Sequence, residues 1–146
     1  MSRTFIGRGL DRDVVCVDLE TTGGHPSRHR IIEIGLVEID RDGSERRWSS
    51  LVNPGTRIPA QIEAFTGITN EMVADAPFFE DVHRELLERL SGRLFVAHNA
   101  RFDYGFIRAE LQRLAFPDIK RTSQTHIQPD VARTKDIPCP QIAVRP

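Results

Sequence analysis

The sequence predicts an α/β domain in which a few buried strands are covered by amphipathic helices. Short β-branched runs occupy residues 14–17 and 31–40, and a hairpin signal, Asp42-Gly43, follows the second run. Two later segments place apolar residues at helical spacing. With 146 residues, of which 39% are hydrophobic, the chain is long enough for one globular core.

The first run breaks abruptly into two acids separated by one leucine, Asp18-Leu19-Glu20. Because side chains alternate across a strand, Asp18 and Glu20 are expected on one face and Leu19 in the core. Two neighbouring carboxylates repel each other, and a bound divalent cation would relieve that repulsion. The spacing alone leaves another interpretation open, in which both acids are simply solvated before the Gly23-Gly24 loop.

The middle of the chain reads as a hairpin followed by two short helices. Residues 31–40 are long enough for a central strand, and residues 45–52 return as its antiparallel partner. Glu33 falls inside the apolar run, so we expect its charge to face an arginine or a polar edge. Gly67 is expected to close a first short helix, and Thr69 to begin a second.

A clear amphipathic helix and a fourth strand come next. Residues 77–90 place leucines and other apolar side chains at helical spacing after a proline, and Ser91-Gly92 marks the end. His83 lies off the apolar stripe and is expected in solvent. Residues 93–97 are expected to form the fourth strand.

His98-Asn99 follows this strand, and a second amphipathic helix is predicted to begin there. Asn99 is a suitable N-cap, and the helix is expected to run to about residue 115. Asp103 would lie in its first turns, where the helix dipole favours a negative charge. This gives Asp103 a structural interpretation of its own.

Composition and the final segment bound the domain organisation. We expect an N-terminal extension at residues 1–12, a partial domain at 13–117 and an irregular proline-rich tail at 118–146, where periodicity is lost. The formal net charge of −1 indicates no general basic field. Cys16 and Cys139 occupy different contexts and no apolar run is as long as a membrane span, so we expect unpaired cysteines and a cytoplasmic protein with no membrane partner.

Three ordered motifs connect the chain to a known family. They are Val-Asp-Leu-Glu-Thr-Thr-Gly-Gly at 17–24, Asn-Pro-Gly…Ile-Pro…Thr-Gly-Ile-Thr at 53–69 and His-Asn-Ala-Arg-Phe-Asp at 98–103. Together they resemble the DEDD-type 3′–5′ exonuclease family, specifically the group that includes the proofreading epsilon subunit of bacterial DNA polymerase III. The resemblance covers roughly residues 13–117. It implies a ribonuclease H-like mixed sheet with flanking helices, here expected to be C-terminally incomplete.

The resemblance also implies a role for each matching residue. Three carboxylates match the catalytic, metal-binding residues of the family: Asp18, Glu20 and Asp103. Four neighbours are expected to contact the substrate: Thr21, Thr22, His98 and Asn99. Two Mg²⁺ or Mn²⁺ ions about 3.5–4 Å apart would supply hydroxide at neutral pH and relieve charge on the leaving oxygen. Such hard cations prefer carboxylate ligands.

The family's last motif is not recognisable in this sequence. That motif is a histidine followed five positions later by an aspartate on a downstream helix, and the histidine serves as general base. His126 and Asp130 are four apart, are interrupted by Pro129 and read as a chance pair. Because loss of a general base costs about 10²–10⁴ in rate, the sequence predicts that the chain is inactive or severely impaired.

Two classes of function therefore stand against each other. The first is a Mg²⁺- or Mn²⁺-dependent exonuclease that acts on single-stranded or frayed DNA 3′ ends, beside a DNA polymerase. An RNA-trimming enzyme would use the same motifs. The second is a non-catalytic relic or nucleic-acid- and metal-binding module, which the missing last motif favours. A structural domain with fortuitous acids is a third interpretation.

Overall fold

The computed structural model describes residues 12–114 and 131–133, and it confirms the α/β class. The strands are β1 (Val14–Thr21), β2 (Ile31–Ile39), β3 (Glu45–Leu51), β4 (Leu94–Ala97) and β5 (Val131–Arg133). The helices are α1 (Ala60–Thr66), α2 (Asn70–Val73), α3 (Phe79–Leu90) and α4 (Ala100–Arg113). The five strands form one mixed sheet in the order β3-β2-β1-β4-β5.

The two halves of the sheet differ in strand direction. Strands β1, β2 and β3 are antiparallel neighbours, and the predicted turn between β2 and β3 is present, with Gly43 at a φ of 90°. Strand β1 also pairs in parallel with β4, which the chain reaches through α3. Because parallel strands end at the same edge, the carboxyl ends of β1 and β4 lie side by side.

The sheet buries a different set of side chains on each face. Alternate residues of β1 pack with α3 and α4 in the main core, which includes Val15, Val17, Leu19, Phe79, Leu86, Leu90, Phe106, Ile107 and Leu111. The intervening β1 residues belong to a second cluster, formed by Val14, Cys16, Val37, Ile39, Leu94 and Val96. Helices α3 and α4 therefore cover one face, and the second cluster lies on the other.

Several predicted boundaries are confirmed to within a few residues, and one strand is longer than expected. Strand β1 continues through the acids to Thr21, because it stays paired with β2 as far as the Thr21 and Ile31 partners. Gly67 closes α1 with a φ of 77°, and the Thr69 side chain accepts a hydrogen bond from the Met72 amide at the start of α2. Asn99 precedes α4 as predicted, but its side chain makes no capping hydrogen bond.

Three expectations are corrected. His83 is 5% exposed rather than solvated, because its Nδ1 lies 2.7 Å from the Glu80 carbonyl oxygen and its ring stacks on Phe79. Cys16 is disulfide-bonded rather than free. Strand β5 lies inside the segment expected to be irregular, and its parallel pairing with β4 gives residues 131–133 a regular partner. The domain boundary at residue 117 stays a prediction.

The helices were also compared with the length of a membrane span. Within residues 12–114 and 131–133, no helix combines the length and the apolar character needed to cross a bilayer.

Candidate active site

The carboxyl end of β1 presents two acids as the alternation predicted. Leu19 is 6% exposed and packs in the main core, whereas Asp18 is exposed and Glu20 is half-buried. Asp18 and Glu20 are therefore on the opposite face from Leu19. Gly35 is the β2 partner of Asp18, so no side chain of that strand stands directly beside the Asp18 carboxylate.

The third acid reaches this place from α4. Strand β1 pairs with β4 only over Val14–Cys16, so the edge of β1 beyond Cys16 is left to the helix that follows β4. Asp103 is 6% exposed and lies against this edge, where its Oδ1 accepts a hydrogen bond of 3.3 Å from the Leu19 amide. Residues 84 positions apart in sequence are thereby joined.

The pKa shifts of Asp103 and Asp18 indicate that the three acids lie near one another. Burial raises the pKa of Asp103 to about 7, and the negative charges of Asp18 and Glu20 add to the increase. The Leu19 amide opposes it by stabilising the ionised form. Partial removal from water also raises the pKa of Asp18, whose side chain is otherwise exposed, and the nearby His98 lowers it. The cluster therefore disfavours its own negative charge.

The residues after β4 lie beside the same acids. His98 and Asn99 are both exposed and connect β4 to α4. His98 is close enough to Asp18 to influence the pKa of that carboxyl. His98 therefore lies near Asp18, and the side chain of the next residue, Asn99, does not cap α4. Their contact with substrate stays a prediction.

The two threonines have already used part of their hydrogen-bonding capacity. The Thr21 hydroxyl donates to the Gly23 carbonyl oxygen at 2.7 Å. The Thr22 hydroxyl oxygen accepts from the Arg30 amide at 3.0 Å, and the Thr22 amide donates to the Arg30 carbonyl oxygen at 2.8 Å. Both threonines are at least 90% buried. Their side chains therefore shape the loop that follows β1, and their contact with substrate stays a prediction.

The acid cluster fits a hard divalent cation by its chemistry. Its donors are carboxylate oxygens. Burial chiefly raises the pKa of Asp103 and the charges of Asp18 and Glu20 add to the increase, and a bound cation would offset both effects. In the present side-chain positions, residues 12–114 contain no group of three or more His, Cys, Asp or Glu close enough to hold one metal ion. The side chains of Asp18, Glu20 and Asp103 would have to close around an ion to bind it together.

Sequence reasoning did not foresee the surroundings of Glu33, and it missed Glu110 altogether. Glu33 is 3% exposed and is the direct cross-strand partner of Glu20, so both side chains lie on one face. No sequence signal gave this pairing, because the register shifts after Glu20: Glu20 lies one residue before the end of β1, whereas Glu33 lies two residues after the start of β2. Glu110 is 1% exposed and binds Arg30, a pair that no local pattern revealed.

His126 and Asp130 lie outside the described residues. Their interpretation as a chance pair stays a prediction.

Comparison with known proteins gives the same family as the motifs. The chain is 44% identical over 103 residues to the 3′–5′ exonuclease DinG of Bacillus subtilis (strain 168), an alignment that covers 70% of this chain and 11% of that protein. It is 40% identical over 94 residues to the DNA polymerase III subunit epsilon of Treponema pallidum (strain Nichols), which covers 64% of this chain and 44% of the relative. The chain thus spans less than half the length of either relative.

A solved structure supports the same relationship in three dimensions. Exonuclease X in complex with 5′ overhanging duplex DNA superposes with a TM-score of 0.54 and 36% sequence identity, over 64% of this chain and 53% of that one. A family model described as exonuclease, of the RNase T type, matches residues 15–136, which is most of the chain. The chain therefore belongs to the RNase T family of DEDD-type exonucleases, as its three motifs indicate.

Proposed function

We propose that this chain is a 3′–5′ exonuclease that hydrolyses the terminal phosphodiester bond of single-stranded or frayed DNA, with Mg²⁺ or Mn²⁺ held by Asp18, Glu20 and Asp103. One observation carries the proposal. The α4 carboxylate of Asp103 is fixed against β1 by the Leu19 amide, and burial together with the charges of the two β1 acids raises its pKa. Three carboxylates from two motifs thereby meet at one strand end.

The chain's own residues would divide the work between binding and positioning. Bound divalent cations would activate water and stabilise charge on the leaving oxygen. Asp103 is immobilised by burial and by the Leu19 amide, so it is suited to hold its oxygen in a fixed place. The Thr21-Thr22 loop and the exposed His98-Asn99 pair border the acids, and we assign them to the 3′-terminal nucleotide.

The substrate and partner rest on the relatives. The DNA bound to exonuclease X supports a DNA substrate, and the epsilon relative supports action beside a DNA polymerase in replication or repair. An RNA substrate is the alternative outcome, because the same carboxylate chemistry serves either sugar.

A second candidate is a module that binds metal or a strand end without turnover. The present separation of the acid side chains favours it, since the described residues form no three-ligand metal group. The predicted impairment of the chain belongs to this candidate.

Degradation of a 3′-labelled single-stranded DNA oligonucleotide by the purified chain, with Mg²⁺ or Mn²⁺, decides between these candidates. We expect shortening from the 3′ end, and a loss of about 10³-fold in the Asp18→Asn/Glu20→Gln variant, because several kcal/mol of charge stabilisation would be removed. The matched control is Glu71→Gln/Asp75→Asn, which removes two exposed acids elsewhere. Equal rates in both double variants would refute the assigned site, and Mn²⁺ binding without shortening would establish the second candidate.

A further inference from the structure

A buried glutamate on α4 lies two turns after Asp103. Asp103 and Glu110 are seven positions apart, so they fall on the same side of the helix, about 10 Å apart along its axis. Both are buried, Asp103 at 6% and Glu110 at 1% exposure. Each carboxylate accepts a hydrogen bond from a backbone amide of the sheet: Asp103 from Leu19 in β1, and Glu110 from Ile31 in β2, at 3.0 Å.

Glu110 is held by arginine as well as by backbone. The Arg30 guanidinium donates to both carboxylate oxygens of Glu110, at 2.8 to 3.1 Å, in the forked geometry that gives strong and directional ion pairs. Arg113, one turn further along α4, places a guanidinium nitrogen 3.6 Å from the same carboxylate. The Glu110 charge is therefore compensated although its side chain is excluded from water.

These contacts reach a local irregularity of the sheet. The register between β1 and β2 shifts between Glu20 and Thr21, so that Glu20 faces Glu33 whereas Thr21 faces Ile31. Bulges of this kind redirect the side chains beside them. The Ile31 amide at this point is bound by Glu110.

Arg30 connects the same point to the loop after β1. Its amide donates to the Thr22 hydroxyl at 3.0 Å, and its carbonyl oxygen accepts from the Thr22 amide at 2.8 Å. The path from Glu110 to the Thr21-Thr22 loop thus runs through one residue, whose side chain binds α4 and whose backbone binds the loop.

We propose that Glu110 is a positioning residue for the candidate active site, one that sets Asp103 on α4 against Glu20 and the Thr21-Thr22 loop. This inference rests on the proposed function. With Glu110 in place, α4 is fixed to the sheet at two points, through Asp103 to β1 and through Glu110 to β2. Without it, α4 keeps its apolar packing, but among the described residues Asp103–Leu19 is its one remaining hydrogen bond to the backbone of β1 and β2, so Asp103 is positioned less precisely relative to Glu20. A displacement of about 1 Å in a reacting geometry can cost 10²-fold in rate.

The fold offers a matched control at the other end of the sheet. Glu38 of β2 is also a buried glutamate, 5% exposed, and it pairs with Arg46, Arg89 and Arg93. It shares the chemistry of Glu110, but it contacts neither α4 nor the loop after β1. A loss that both variants show is a loss of stability, and a loss confined to Glu110 is a loss of positioning.

The test compares Glu110→Gln with Glu38→Gln in the whole chain, at a temperature where circular dichroism shows both folded. We expect kcat on the single-stranded oligonucleotide to fall about 10- to 100-fold in Glu110→Gln with a smaller change in KM, and to stay within about twofold of wild type in Glu38→Gln. Mn²⁺ should bind more weakly to Glu110→Gln only. If Glu110→Gln does not fold, Arg30→Lys, which keeps the charge and loses the fork, takes its place with a smaller expected effect.

Equal kcat and equal Mn²⁺ affinity in the two folded variants would overturn the inference. A wild-type chain that binds Mn²⁺ but does not cut DNA would overturn the proposed activity instead. In that case amide hydrogen exchange of residues 19–31 gives the answer: faster exchange in Glu110→Gln than in Glu38→Gln supports positioning, and equal exchange refutes it.

Discussion

The two ends of the central strands treat acidic side chains in opposite ways. At the end next to the β2–β3 hairpin, Asp40 lies 2.5 Å from Arg93 and 3.0 Å from Arg46, and hydrogen bonding from Arg93 holds the pKa of Asp40 below its usual range. At the carboxyl end of β1, burial and neighbouring acids raise the pKa of Asp103 to about 7. The same sheet therefore stabilises ionised acid at one end and disfavours it at the other.

This difference shows where the fold gives up stability. At the hairpin end, arginines bind Asp40, whose role is structural. At the carboxyl end of β1, which carries the family motifs, the acids instead lie next to one another. Such an arrangement suits a site completed by a cation, because the repulsion becomes binding energy when the cation arrives.

The largest expected effect comes from exchanging one acid at each end for its amide. We expect Asp103→Asn to lower DNA hydrolysis by at least about 100-fold, whereas Asp40→Asn leaves kcat within about twofold. Without metal at pH 8 the order of stability reverses. Asp103→Asn should unfold at a higher temperature than wild type, because it removes a buried ionised group, and Asp40→Asn at a lower one, because it removes an arginine-bound carboxylate.

The pH dependence of the same variants sharpens this comparison. Since the folded-state pKa of Asp103 lies above the unfolded value, its contribution lowers stability progressively as pH rises from about 4 to about 7, on the order of a few kcal/mol. The lowered pKa of Asp40 acts in the opposite sense, adding stability at neutral pH that is lost in acid. Thermal unfolding between pH 4 and 8 should show a flatter decline in Asp103→Asn. An unchanged profile would contradict the burial of Asp103.

A smaller effect is expected from removing an arginine at the hairpin end. Arg93 is largely buried and also donates to the Val14 carbonyl oxygen at 3.1 Å. Arg93→Ala should lower the free energy of unfolding by about 2 kcal/mol, measured in urea, without changing kcat of the folded fraction. Arg84→Ala, at an exposed position of α3, is the control and should stay within about 0.5 kcal/mol of wild type. A fall in kcat for Arg93→Ala would show that the two ends are coupled.

A last pair of effects, on stability alone, compares two glycines, one at each end of the sheet. A Cβ at Gly23 would stand 2.6 Å from the His29 ring, whereas a Cβ at Gly43 meets nothing within 4 Å but would be strained at a φ of +90°. Gly43→Ala should cost about 1 kcal/mol. Gly23→Ala should cost about 1–3 kcal/mol because His29 must move. The His29 ring is held in place because it accepts a hydrogen bond from the His25 amide. In a background of His29→Ala, the cost of Gly23→Ala should therefore fall to that of an unhindered position.

Sequence reasoning reached the strands and the acid cluster because both have local or motif signals. Alternation around Leu19 predicted the facing of its two acidic neighbours, and the order of the motifs predicted that Asp103 joins them. The prediction that His83 lies in solvent was wrong. Helical periodicity is judged from apolar side chains, so it does not reveal a histidine that is buried by a hydrogen bond to backbone and by stacking on Phe79.

Glu110 was beyond sequence reasoning for a different reason. A glutamate on a helix normally faces solvent, and its partner Arg30 is 80 positions away. Only the fold brings the two together. Strand β5 was missed because three residues in a proline-rich segment carry no alternation of their own, and the pairing that defines the strand comes from β4.

The hairpin turn at Gly43 has a practical consequence. It projects from the end of the sheet opposite the acids, and the space around a Cβ there is empty. A short affinity peptide inserted between Asp42 and Gly43 should therefore anchor the molecule to a surface with its acid cluster facing the solution. Individual DNA strands could then be offered to the tethered protein, and their shortening followed one molecule at a time.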